Sequence, residues 1–108
     1  MDEREKRLAR NEALFREVNE RIDDVAGDHQ VADQHYLCEC ANPDCTFKVQ
    51  MARSEYESVR SDPTRFFVLP GHYTPEIEEL VTKNERHWVV KKVGPAAEYV
   101  EHLDPRSR

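Results

Sequence analysis

The chain has 108 residues, of which 38% are hydrophobic and 35% charged, and its formal net charge at neutral pH is −6. That is the length of one domain, and a chain this short buries only part of the surface its unfolded form exposes, so a staple beyond the apolar core is expected. The acidic balance argues against a nucleic-acid binder, which must neutralise phosphates, and no apolar run approaches the ~18 residues of a membrane span.

From Glu3 to about Val25 there is no Pro or Gly, and Leu8, Phe15, Val18, Ile22 and Val25 recur at helical spacing. The pattern predicts one long amphipathic helix over residues 1–26. Its flanks carry the acid-first pairs Glu3 with Arg7, Glu12 with Arg16 and Glu17 with Arg21. Read as heptads, Leu8, Phe15 and Ile22 take one core position and Asn11, Val18 and Val25 the other, a coiled-coil-like seam with a polar Asn that would fix register. A helix lying across its own domain is the alternative. The polar stretch 27–34 reads as a linker.

Residues 35–104 read as a small α+β domain. His35 to Cys40 and Thr46 to Met51 are short β-prone runs around the turn residues Asn42-Pro43-Asp44, which predicts a hairpin. Ser54 with Glu57 suggests a capped short helix to Ser61, ended by Asp62-Pro63. Arg65 to Leu69 reads as a buried strand broken by Pro70-Gly71, and Thr74-Pro75 as the start of a short turn. A second hairpin is expected from Glu79 to Thr82 and His87 to Val93, with Trp88 and Val90 on one face. Ala96 to Leu103 makes a last helix, and 105–108 reads as a frayed tail.

The start, Asp2-Glu3-Arg4-Glu5-Lys6, is not a hydrophobic signal core, so a cytoplasmic location is expected. There thiols stay reduced, and three cysteines cannot close into a complete set of disulfides. All three lie in Cys38-x-Cys40-x4-Cys45. Two positions apart on a strand, Cys38 and Cys40 share a face, and the turn brings Cys45 back toward them. Three converging thiolates make most of a tetrahedral zinc site.

The fourth ligand expected is His72, on the tight Pro70-Gly71-His72 bend. His35 and Asp44 are alternatives, and His29 and His87 follow them. Other readings of the cysteines are thiols with a redox role, a Cys40–Cys45 hairpin disulfide in an oxidising setting, or inert buried side chains. Glu39, between two ligands, is expected to face solvent on the opposite side of the strand. The densest basic stretch, Lys83, Arg86, Lys91 and Lys92 with His87 and Trp88 between, reads as outward-facing solvation.

The segments Arg10-Asn11-Glu12-Ala13-Leu14-Phe15-Arg16-Glu17-Val18-Asn19-Glu20-Arg21-Ile22, Cys38-Glu39-Cys40 to Asp44-Cys45, Phe66-Phe67-Val68 to Pro70-Gly71-His72, and Val89-Val90-Lys91-Lys92 together resemble an uncharacterised family of small bacterial proteins of the actinobacterial type. The resemblance implies a shared architecture. Locally, CxCx4C is similar to the zinc knuckle that follows the catalytic domain of SET-type histone methyltransferases. No Walker loop, HExxH, GxSxG or zinc-deaminase signature is present. The expectation is therefore a non-enzymatic, zinc-stabilised α+β domain that self-associates as a homodimer or docks a protein partner through its N-terminal helix, with a thiol or metal sensor as the alternative.

Overall fold

Asp2 accepts a hydrogen bond from the Glu5 backbone N–H at 2.7 Å, and the helix it caps, α1, runs Glu3–Asp28. The computed structural model describes residues 1–107. After α1 come β1 (Asp33–Leu37), β2 (Lys48–Ala52), α2 (Arg53–Arg60), β3 (Arg65–Val68), β4 (Glu78–Lys83), β5 (Trp88–Lys92), α3 (Gly94–His102) and a 3-10 turn, Pro105–Ser107. The molecule is α+β, as the hydrophobic patterning predicts. Strands β1 and β2 form the first antiparallel hairpin, and β3, β5 and β4 form a three-stranded antiparallel sheet in that order. The polar stretch 27–34 divides between the end of α1, a turn and the start of β1.

Phe66, Phe67 and Val68 of β3 are all fully buried, because this strand is covered on both faces. Phe67 packs edge-on against Tyr36 and Tyr56, whose rings stack at 4.3 Å. On β5, Trp88, Val90 and Lys92 share a face by the two-residue period. The solvent-facing reading of Lys92 is corrected here: its side chain is fully buried, while Lys91 next to it is exposed.

The helix α1 reverses the expected polarity. Its buried residues are Ala9, Glu12, Ala13, Arg16, Asn19, Glu20, Asp23 and Ala26, whereas Leu14, Val18 and Val25 are among the exposed large hydrophobics. Leu8 and Ile22 pack only at the edges of the core. The apolar stripe is therefore not the face that α1 lays against the rest of its own chain. The same helical period places a polar stripe half a turn away, and that stripe meets partners of matching chemistry.

Lys92 Nζ lies 2.6 Å from the Glu12 carboxylate and also pairs with Glu78, and it sits 4.2 Å from the centre of the Phe66 ring. The Arg16 guanidinium donates to the carbonyls of Pro63 (2.6 Å) and Val100 (2.8 Å) and covers the same ring at 4.4 Å. Glu12 and Arg16, expected as a surface pair, thus both point inward to other partners. Glu20 accepts from the Tyr56 hydroxyl (2.8 Å) and Arg60 (3.0 Å), and Asp23 from the Tyr36 hydroxyl (2.8 Å) and Arg53 (3.2 Å).

The expected frayed tail is also corrected. Asp104 is buried and pairs with Arg60, while Arg106 pairs with Glu20 and with Glu57 at 2.8 Å. These ion pairs tie the 3-10 turn back to α1 and α2 across more than forty residues. Arg108 lies outside the described residues.

Candidate metal centre

The first hairpin does not close in a tight turn. Strand β1 ends at Leu37, β2 begins at Lys48, and residues 38–47 between them form the loop that carries all three cysteines. Asn42 organises its tip: the Asp44 N–H donates to the Asn42 side chain at 3.0 Å and the Cys45 N–H to the Asn42 carbonyl at 3.1 Å. This side-chain turn, with Pro43 at its corner, swings Cys45 under Cys38 and Cys40.

The fourth member arrives from the other sheet. After β3 the chain turns through Gly71, whose φ of +87° lies in the left-handed region that glycine adopts without strain. The His72 N–H donates to the Leu69 carbonyl at 2.9 Å, closing the bend and directing the imidazole to the cysteine loop.

The result is a cluster in which the ligand atoms of Cys38, Cys40, Cys45 and His72 all lie within 4.8 Å of one another. His72 Nδ1 is 3.5 Å from Cys38 Sγ and 3.8 Å from Cys45 Sγ. A tetrahedral ion bound by sulfur at ~2.3 Å and nitrogen at ~2.0 Å sets sulfur and nitrogen about 3.6 Å apart, so these separations fit a metal at the centre. The cysteines are 1%, 2% and 8% exposed and His72 is half-buried.

The electrostatics point the same way. As bare thiols the three do not ionise together: the interaction between the Cys38 and Cys40 sulfurs pushes Cys38 well up and pulls Cys40 down, and burial raises Cys45. A divalent cation relieves that conflict by stabilising all three thiolates. The Leu69 N–H donates to Cys38 Sγ at 3.2 Å, a contact that suits a sulfur carrying charge.

All four residues expected as ligands are brought together. The alternatives are elsewhere: Asp44 and His35 are exposed, with His35 beside Val18, Ile22 and Lys48. His29 caps the C-terminus of α1, and His87 is buried against Phe67 with its N–H donating to Asn84.

The reading of Glu39 as solvated is overturned. Its side chain does face away from the thiols, but into the protein, where it is fully buried. There it accepts from Asn19 Nδ2 at 2.9 Å and from the Phe67 N–H at 3.3 Å, while its own N–H donates to the Phe67 carbonyl at 3.0 Å. Glu39 thus pairs with the free edge of β3. Burial pushes its carboxyl up to about 7, against the pull of Asn19 and Arg16.

Asn11 and Asn19 are the site residues that sequence reasoning missed. Asn11 Nδ2 donates to the Ala41 carbonyl at 2.9 Å; Asn19 bonds both the N–H (2.8 Å) and the carbonyl (2.9 Å) of Leu37. The available signal was an Asn pair eight apart on one helix, which the heptad reading assigned in part to a seam. No protein-family model, curated protein or solved structure matches the chain.

Proposed function

We propose that this is a non-enzymatic, zinc-stabilised protein-interaction domain. The observation that supports it is the Cys38, Cys40, Cys45 and His72 cluster. Four protein donors complete a tetrahedral shell, which leaves no position for a reacting water, and a closed shell of this kind belongs to structural zinc. Three thiolates favour zinc over hard cations, which select oxygen.

The surface that meets a partner is the outer face of α1. Leu14, Val18 and Val25 lie exposed along it, beside a shallow groove that continues over Ile22 to His35 and Lys48. A second copy of the chain is the first partner to test. With a net charge of −6, the chain is a poor match for a nucleic acid. Among the described residues no helix is long and apolar enough to cross a membrane. A reducing compartment such as the cytoplasm would keep the three thiols available for metal.

Elemental analysis and molar mass measured on one purified sample test both parts of the reading. One zinc per chain and a mass of two chains are expected, with a chelator lowering the unfolding temperature. A chain that purifies metal-free under reducing conditions and is no less stable for it would sink the zinc reading; a monomer at all concentrations would redirect the search to a different partner.

A second reading, a thiol sensor, draws on a small depression of about 310 Å³ lined by Cys40 and His72 together with Asn42, Gly71 and Tyr73, which gives an oxidant a path to one sulfur. Zinc release at peroxide doses well below those that denature the protein would favour it over the structural role.

A further inference from the structure

We infer that α1 carries the outer shell of the metal centre, so that docking of the helix and binding of the metal form one coupled equilibrium; this rests on the metal-binding reading above. The ligands Cys38 and Cys40 alternate with Leu37, Glu39 and Ala41, and α1 grips all three of the intervening residues. Asn19 holds both backbone groups of Leu37 and the carboxylate of Glu39, and Asn11 holds the carbonyl of Ala41.

The two spacings match. Asn11 and Asn19 are eight residues apart, about 12 Å along a helix at 1.5 Å per residue. Residues 37 to 41 span about 13 Å when extended at ~3.3 Å per residue. The ligand segment therefore lies antiparallel along α1, held to the helix through Leu37, the Glu39 carboxylate and the Ala41 carbonyl, while the Cys38 and Glu39 N–H groups bond Phe47 and Phe67.

Asn11 and Asn19 are thus positioning residues: they touch no ligand atom but fix the backbone from which two ligands project. Outer-shell partners of this kind typically change metal affinity 10- to 100-fold when removed. The coupling is reciprocal, so losing the metal frees the segment on one side and weakens the grip of α1 on the other. The three-stranded sheet, whose strands pair with one another, does not depend on this contact in the same way.

The test measures zinc affinity by competition with a chromophoric chelator, at a temperature where circular dichroism shows each variant folded. Asn19→Ala should bind zinc at least 10-fold more weakly than the wild type, and Asn11→Ala more weakly by a smaller factor. The outer-face variant Leu14→Ala should bind unchanged. In the unmodified protein, chelation should speed amide hydrogen exchange across residues 9–20 at least 10-fold while β4 and β5 stay protected.

Lys92→Met separates the direct grip of the two asparagines from general loosening of α1. Lys92 supports the helix without touching the ligand segment, so its loss should weaken zinc binding by a smaller factor than Asn19→Ala. Affinities within twofold of wild type in both Asn variants would overturn the inference. So would a loss equalled by Lys92→Met, or exchange in α1 that chelation leaves unmoved. If Asn19→Ala does not fold, the half-buried Asn11 carries the same test. A wild-type chain that binds no zinc would instead remove the metal reading itself, a result visible before any variant is made.

Discussion

Two fastenings hold this domain together, and they differ in almost every physical respect. The cysteine loop and the Pro70-Gly71-His72 bend meet at one point, through four ligand atoms within 4.8 Å. The layer beneath α1 is spread along the middle of the helix, from Glu12 with Lys92 to Glu20 with Arg60 and Arg106. On the metal-binding proposal the first would depend on an ion from solution; the second is built from the chain's own charges. The first should yield to a chelator, the second to acid or to the loss of a single partner. A charged layer of this kind is no stronger than an apolar one of equal volume, but it is unforgiving, because removing one member leaves another buried and uncompensated.

The largest effect is expected at the single point. Cys40→Ser should reduce zinc from one per chain to near zero and cost about 4 kcal/mol or more of unfolding free energy, as losses of structural metals do. Inductively coupled plasma analysis and denaturant unfolding on the same preparation check this. Stability retained without zinc would show that the charged layer alone suffices.

Lys92→Met attacks the other fastening and should cost about 3 kcal/mol at pH 7, since it strands the buried Glu12 and Glu78 carboxylates. Its pH dependence has a definite sign. Burial holds the Glu12 carboxyl well above its ordinary value of 4.5, with Lys92 opposing the rise. Without Lys92 the folded protein must keep its proton over a wider range, so stability should fall as pH rises from about 4.5. Unfolding at pH 5 and pH 8 should show the smaller deficit at pH 5, and equal deficits would place the cost in packing instead.

The comparison also explains what the amino-acid sequence reveals. The sulfur clasp was legible because its chemistry is local: three thiols within eight residues, turn residues between them, and a histidine on a Pro-Gly bend all carry meaning without knowledge of the fold. The strands were legible for the same reason, although Cys38 and Cys40, expected on the first strand, lie in the loop beyond Leu37. The direction in which α1 faces was not. Its apolar and polar stripes share one period, and convention assigns the apolar one to the core. Glu12 and Arg16 look like a surface pair until Lys92 and the Pro63 carbonyl are seen opposite them. Glu39 could be placed on the face away from the thiols by parity, but not inside the protein, because its partners Asn19 and Phe67 are 20 and 28 residues distant. Asp104 and Arg106 are tied down by the same long-range pairing, which no local pattern announces.

A smaller effect is expected at the rim of the charged layer. Arg106 pulls the Glu57 carboxyl down to about 2, below its ordinary value of 4.5. A depressed carboxyl stabilises the fold fully above the unfolded value and ceases to do so as pH falls through the folded one. Arg106→Ala should therefore cost about 1 kcal/mol at pH 7, a figure kept low by the partial exposure of both side chains. The difference from wild type should shrink between pH 4.5 and about 2. A deficit that persists unchanged into that range would mean that Arg106 acts by packing over Glu20 and not through its charge.

The outer face of α1 should show the smallest effect on stability. Val18 is 42% exposed and touches neither fastening, so Val18→Gln should alter unfolding free energy by no more than about 0.5 kcal/mol. Its informative readout is molar mass. If the apolar stripe is where two copies meet, the variant should become monomeric while its unfolding temperature at low concentration stays put, because the inner face holds the helix without it. A variant that loses stability in step with association would show that the two faces are not independent, and that α1 keeps its inward polar contacts only while its apolar side is covered.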